Sequence, residues 1–112
     1  MSSITTHVLD TSSGIPASGI NASLHIFTEG QWKEISSGVT NKDGRISVLV
    51  NSDVNPGKGI YKMKFETGAY YKEKSVKTFY PQVEIIFEID SDEHYHIPLL
   101  MSPFGYTTYR GS

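Results

Sequence analysis

The stretch His94-Tyr95-His96-Ile97-Pro98-Leu99-Leu100-Met101-Ser102-Pro103-Phe104-Gly105-Tyr106-Thr107-Thr108-Tyr109-Arg110-Gly111-Ser112 decides the fold, because it reads as two strands about one turn. Ser102-Pro103-Phe104-Gly105 carries residues suited to turn geometry. Before it, side chains alternate: His94, His96, Pro98 and Leu100 share one side, and Tyr95, Ile97 and Leu99 take the other. Two imidazoles therefore project from one face of a strand whose opposite face is largely apolar.

Outward from this hairpin, short β-rich runs separated by turn residues recur along the chain. Strands are expected at Ile4–Asp10, Ile20–Thr28, Trp32–Val39, Arg45–Val50, Ile60–Glu66, Val83–Ile89, Tyr95–Met101 and Tyr106–Arg110. Ser12-Ser13-Gly14, Thr28-Glu29-Gly30, Lys42-Asp43-Gly44 and Asn55-Pro56-Gly57 supply breaks between them. About eight strands without alternating βα units predict an all-β fold, an antiparallel β-sandwich. One segment departs from the pattern. Thr67-Gly68-Ala69-Tyr70-Tyr71-Lys72-Glu73-Lys74 has a capping-type Thr, then Tyr70 and Lys74 at i and i+4, which predicts one short helix with Gly68 as its weak point.

With 112 residues the chain has room for one core, so a single domain over 1–112 is expected. Its 38% hydrophobic and 20% charged residues suit a folded protein rather than a disordered one. A formal charge of −2 offers no basic footprint, which argues against nucleic-acid and anionic-membrane partners. The absence of cysteine rules out a disulfide frame and a thiolate metal site. No apolar run approaches the ~20 residues of a membrane-spanning helix. Met1-Ser2-Ser3 runs straight into a strand-like segment with no space for a secretory signal, so a cytoplasmic location is expected, or a periplasmic one should an export signal have been removed.

Chemistry-bearing residues cluster on the strand faces. In Ile4-Thr5-Thr6-His7-Val8-Leu9, the side chains of Thr5, His7 and Leu9 oppose those of Ile4, Thr6 and Val8. Taken alone, His7 also reads as a half-exposed strand histidine, Arg45 as a solvated rim charge and the last four residues as a frayed end. Against these bland readings, a fixed guanidinium can donate two parallel bonds and meet negative charge on a carbonyl oxygen. Tyr106-Thr107-Thr108-Tyr109 is a good β segment leading into the tail. Gly111 lets backbone pass close to a ligand, and the Ser112 hydroxyl can bond a water, a histidine or a substrate. His7 and His96 have no accompanying ligand set of metal-binding spacing, so no metal is expected; Asp92, His94 and His96 leave a zinc site open as a minor alternative.

His94-Tyr95-His96-Ile97-Pro98-Leu99-Leu100, Ser102-Pro103-Phe104-Gly105-Tyr106 and the terminal Tyr109-Arg110-Gly111-Ser112 closely resemble the C-terminal signature of 5-hydroxyisourate hydrolases, the enzymatic branch of the transthyretin family. Thr6-His7-Val8-Leu9-Asp10 with Gly14-Ile15-Pro16-Ala17 resembles the family's first strand and turn. Thr40-Asn41-Lys42-Asp43-Gly44-Arg45 resembles its central motif, and Gly59-Ile60-Tyr61-Lys62 and Tyr80-Pro81 two further landmarks.

The resemblance implies a transthyretin-like sandwich with a short helix at the position expected above. It implies hydrolytic opening of 5-hydroxyisourate, the unstable product of urate oxidation, to a ureidoimidazoline carboxylate, without a cofactor. His7, Arg45, His96 and Ser112 are the implied catalytic residues; Tyr109, with Arg45, His7 and Ser112, is implied in substrate binding. His94 is expected at the site entrance or in solvent, and His25 in a structural place. The implied assembly is a homotetramer, a dimer of dimers with sites in the channel between dimers, whose channel stripe would be Thr5/His7/Leu9, His96/Pro98/Leu100 and Thr107/Tyr109/Gly111. The rival within the family is a carrier that holds a hydrophobic small ligand in that channel; carriers replace the two histidines, the arginine and the Tyr-Arg-Gly-Ser end.

Overall fold

Alternating apolar and polar residues fold into two β-sheets over a shared core in the computed structural model, which describes residues 3–50 and 57–111. The elements are β1 (Ser3–Asp10), β2 (Ile15–Pro16), β3 (Asn21–Thr28), β4 (Gln31–Val39), β5 (Arg45–Val50), β6 (Gly59–Phe65), α1 (Thr67–Glu73), β7 (Val83–Ile89), β8 (His94–Ser102) and β9 (Gly105–Thr108). The expected strands fall within about two residues of these bounds. The additional β2 pairs Pro16 with Leu9 and Ile15 with Asp10, and is too short to show any periodicity. The expected break at Asn55-Pro56 lies outside the described residues.

One sheet runs β2-β1-β8-β9, with β5 also paired to β1; the other runs β4-β3-β6-β7. Among the described residues every pairing is antiparallel except that of β1 with β8, which is parallel from Ser3 opposite His94 to Asp10 opposite Met101. Period-two patterning is the same for either direction, so this exception is invisible to it. Its cause is the crossing from β7 in one sheet to β8 in the other, which brings β8 in beside β1 on the same heading. The Tyr95 hydroxyl holds that crossing, donating to Asp90 Oδ1 at 3.0 Å and accepting from the Asp90 N–H at 3.2 Å.

Ile4 and Val8 of β1, Leu24 of β3, Met63 and Phe65 of β6, and Leu99 and Met101 of β8 fill the space between sheets, each no more than 1% exposed. Burying such a side chain stabilises the fold by roughly 1.5–3 kcal/mol. Their inward facing commits Thr5 and His7 of β1, and His94 and His96 of β8, to the outer face.

Helix α1 is anchored differently from expectation. Thr67 is not the cap but the first helical residue; it is buried and its Oγ1 has no hydrogen-bond partner among the described residues, while Glu66 occupies the N-cap without a side-chain bond. The expected pairing does form, with Lys74 Nζ 5.0 Å from the Tyr70 ring centre. Gly68 donates its N–H to the Pro81 carbonyl at 3.0 Å, an approach that leaves no space for a side chain. The main tether is the buried carboxylate of Asp10. It accepts from the hydroxyls of Tyr70 (3.1 Å) and Tyr71 (3.2 Å), and from Ser12 N–H (3.1 Å) and Oγ (2.6 Å).

Burial works against ionisation of Asp10, but these four donors outweigh it and hold the carboxyl below its ordinary range. Burial, with the carboxylate beside it, pushes the Tyr70 hydroxyl up to about 12. Asp10→Ala leaves two buried hydroxyls without their acceptor and is expected to cost about 1–3 kcal/mol in urea unfolding at neutral pH. A depressed folded pKa contributes stability above the unfolded value and loses it as pH falls through the folded one, so the gap between wild type and variant should narrow on acidification. A gap that stays constant from about pH 7 to about pH 2 would remove the ionised carboxylate from this account.

Candidate active site

The parallel register sets Thr5 opposite His96 and His7 opposite Pro98, so His7 and His96 are diagonal neighbours on the outer face. Their rings stack with centroids 5.0 Å apart and planes 20° from parallel. His7 Nδ1 lies 2.8 Å from His96 Nε2, a contact that requires an N–H on one nitrogen and a lone pair on the other. His96 Nδ1 is in turn 2.7 Å from Thr5 Oγ1, so both of its nitrogens are engaged. Among the described residues His7 Nε2 meets no hydrogen-bond partner.

Arg45 reaches the pair through the preceding turn. Asn41 Oδ1 accepts from the N–H groups of Asp43 (2.9 Å) and Arg45 (3.0 Å), and Gly44 N–H donates to the Asn41 carbonyl at 2.9 Å. Gly44 has φ 73°, and a Cβ there would stand 2.4 Å from the Val8 carbonyl oxygen. Glycine alone lets this turn lie against β1. The Val8 N–H then donates to the Gly44 carbonyl at 2.8 Å, and Arg45 falls directly opposite His7 in the ladder with its side chain exposed.

Both paired imidazoles are held below their ordinary pKa. For His7 the larger cause is burial and the second is the Arg45 guanidinium; for His96 burial leads, followed by His7, Arg45 and His94. The pair is therefore neutral at neutral pH and free to accept a proton.

His94 is exposed, as expected, but it is not merely solvated. Its Nε2 lies 3.1 Å from Thr5 Oγ1 and its Nδ1 2.5 Å from Ser3 Oγ, and its ring stacks on that of His96 at 6.4 Å. The zinc alternative of Asp92, His94 and His96 is not realised, since among the described residues no three His, Cys, Asp or Glu side chains gather to hold a metal. His25 sits on β3 in the other sheet, its Nε2 2.8 Å from Ser23 Oγ.

The tail is anchored on His96. Gly111 N–H donates to the His96 carbonyl at 2.9 Å, and a Cβ on Gly111 would meet His96 Cδ2 at 2.6 Å and Pro98 Cγ at 3.1 Å. Pairing with β9 lapses between Leu99–Thr108 and His96–Gly111, at the position where Pro98 has no N–H to give. That gap explains why β9 ends before the expected Arg110. The Arg110 guanidinium lies 4.4 Å from the Tyr95 ring centre and 3.8 Å from Glu93 Oε1. Tyr109 is exposed and lines a cleft of about 360 Å³ at the open edge of the sandwich, together with Ile85, Phe87 and Tyr95; His96 borders this cleft, whereas His7 and Arg45 do not. Ser112 lies outside the described residues.

The hydroxyls of Ser3 and Thr5 are the polar members of the cluster that the sequence did not single out. Thr5 was legible as a face-mate of His7, but its contact with two histidines follows from the direction of β8.

A β-sandwich with a neutral imidazole pair beside a guanidinium on one outer face defines a transthyretin-like domain equipped for acid–base chemistry. The chain belongs to the HIUase/Transthyretin family, whose model matches residues 4–111. It is 46% identical to the 5-hydroxyisourate hydrolase of Mus musculus, over 99% of this chain and 96% of that protein. The solved 5-hydroxyisourate hydrolase of Klebsiella pneumoniae superposes with TM-score 0.87 at 35% identity, covering 98% of this chain and 99% of that one. Sea bream transthyretin in complex with thyroxine superposes with TM-score 0.90 at 32% identity, covering 96% and 93%.

Arg45→Gln should raise the titration midpoints of both His7 and His96, because it removes a positive charge that opposes their protonation. Nitrogen-detected NMR titration checks this; unmoved midpoints would show that the guanidinium does not act on the pair.

Proposed function

We propose that this chain hydrolyses 5-hydroxyisourate, opening its six-membered ring to 2-oxo-4-hydroxy-4-carboxy-5-ureidoimidazoline in urate breakdown. The observation that carries this reading is the 2.8 Å contact between His7 and His96 on the face that Arg45 joins. The names of the Mus musculus and Klebsiella pneumoniae relatives support the substrate. Fold alone does not separate a hydrolase from a carrier, since sea bream transthyretin shares it. The imidazole pair and the guanidinium favour the hydrolase.

In this reading His7 is the general base. Its Nε2 meets no partner among the described residues, and a neutral imidazole with lowered pKa removes a proton from water as the oxygen attacks the ring carbonyl. His96 orients His7 through Nε2 and shares the incoming charge. Arg45 stabilises the negative charge that grows on the carbonyl oxygen. Ser112 would hold the water or the substrate; Tyr109 would wall the ring only from a partner subunit, because in its own chain it lines the edge cleft that His7 and Arg45 do not border.

The assembly proposed with it is a homotetramer. Among the described residues β7 and β9 each lie at one edge of their sheets, with Ile86 and Tyr106 exposed, and the outer face bearing His7 and Arg45 stands open in the single chain. A second sheet packed on that face would exclude water from the reaction. Light scattering on purified protein should give four times the chain mass, and a stable monomer with full turnover would overturn this part.

The main test follows the ultraviolet absorbance of freshly generated 5-hydroxyisourate. His7→Ala, Arg45→Ala and His96→Ala should each lose about 10²-fold or more of the catalysed rate while remaining folded. His25→Ala should keep most of it. Deletion of Arg110 to Ser112 should also impair turnover without unfolding the protein. Equal rates in all variants would refute the assignment.

A further inference from the structure

Five side chains from two strands form an unbroken series of polar contacts on the outer face. His7 Nδ1 meets His96 Nε2 at 2.8 Å; His96 Nδ1 meets Thr5 Oγ1 at 2.7 Å; Thr5 Oγ1 meets His94 Nε2 at 3.1 Å; and His94 Nδ1 meets Ser3 Oγ at 2.5 Å. Each neutral imidazole has one N–H and one lone pair, and each hydroxyl can donate one hydrogen while accepting another. The series therefore has two self-consistent directions. With His7 Nδ1–H donating, all donors point towards Ser3 and His7 Nε2 carries a lone pair. With Ser3 Oγ–H donating, all point the other way and His7 Nε2 carries the hydrogen.

One end of the series, beside Arg45, is His7 Nε2, which meets no partner among the described residues; the other is the exposed ring of His94. From this we propose that Thr5 and His94 complete a proton relay, which carries the proton taken from water at His7 out to solvent. The proposal rests on the hydrolytic reading and deepens it.

The chemistry requires such an exit. Opening a neutral cyclic amide adds water across the acyl C–N bond: His7 takes one hydrogen of the water as its oxygen bonds to the carbonyl carbon, and the hydrogen left on that oxygen passes to the departing nitrogen as the C–N bond breaks. The acid is thereby formed directly as its carboxylate, and the proton held at His7 is the one released per turnover. Relay transfer needs no new reagent. His7 Nε2 gains a proton as Nδ1 passes one to His96 Nε2; His96 Nδ1 passes one to Thr5, Thr5 to His94 Nε2, and His94 Nδ1 to Ser3 or to water. Each link breaks one N–H or O–H bond and forms another, and no electrons are gained or lost.

Among the described residues Thr5 is the side chain that joins His96 to His94, because its one oxygen touches both. Thr5 and His94 act through His96 and His7, so they are positioning residues rather than catalytic ones.

The test compares Thr5→Val, which keeps the shape and removes the hydroxyl, with His94→Gln, which keeps polar contacts on an exposed site but cannot pass a proton from one ring nitrogen to the other. Each should lower kcat about tenfold with KM unchanged, a smaller loss than the roughly 10²–10⁴-fold of a missing acid–base group because His7 remains. Added imidazole buffer should restore kcat in His94→Gln in a concentration-dependent way and leave wild type unaffected. Thr5→Ser should recover what Thr5→Val loses.

Wild-type kcat in His94→Gln, or a loss that buffer does not restore, would overturn the relay. Should Thr5→Val fail to fold, His94→Gln and its buffer response decide alone. If His7→Ala and Arg45→Ala also retain full turnover, the hydrolytic reading falls; if they lose it while His94→Gln does not, only the relay falls.

Discussion

The parallel ladder between β1 and β8 is the constraint on which the outer face depends. It sets Ser3 beside His94 and Thr5 beside His96 at one-to-one register, and so brings together residues about ninety positions apart in sequence. A slip of one residue would turn His94 and His96 into the core and Tyr95, Ile97 and Leu99 into solvent. The buried set Ile4, Val8, Tyr95, Leu99 and Met101 forbids that slip, so the chemistry of one face is fixed by the packing of the other. Gly44 and Gly111 complete the arrangement from either side. One lets Arg45 approach His7, and the other lets the tail lie against His96.

Electrostatics then determine what the gathered groups can do. His96 is 8% exposed, and its contacts with His7 and Thr5 satisfy both ring nitrogens while it stays neutral. The guanidinium opposite His7 disfavours an imidazolium but favours any anion formed between them. The same charge that lowers the proton affinity of the base thus stabilises negative charge on an attacked carbonyl. A base kept neutral and an electrophile-stabilising cation are complementary demands, and one short ladder of β1, β5 and β8 meets both.

Much of this face was legible in the sequence. Period-two alternation placed Thr5 with His7 and His94 with His96, and Asp43-Gly44 marked the turn before Arg45. Strand direction was not legible, because alternation has no arrow; for that reason the contact of Thr5 with two histidines stayed hidden. Local rules also misassigned Thr67, whose hydroxyl suits a cap in isolation but is buried here as the helix begins. Asp10 looked like the end of a strand, although its carboxylate tethers the helix through Tyr70 and Tyr71, some sixty residues away. Such tertiary hydrogen bonds leave no periodic trace.

Sea bream transthyretin and the Klebsiella pneumoniae hydrolase both superpose on this chain, so the sandwich itself carries no commitment to catalysis. What distinguishes a catalytic outer face is how its polar groups are connected. A ligand carrier gains nothing from a directed series of hydrogen bonds, because binding needs no net movement of protons. A hydrolase that releases an acid does need one, and after each transfer every member of the series is left pointing the other way. The series must be turned back before the next water can be deprotonated. Hydroxyls turn by rotation about one bond, but an imidazole held between two partners can reverse only by losing a proton from one nitrogen and gaining one on the other. Solvent contact at His94 supplies that exchange at the outer end, while product departure frees His7 at the inner end. The exposed position of His94 and the enclosed position of His96 therefore suit opposite tasks in one cycle: the first communicates with water, and the second keeps water from short-circuiting the base.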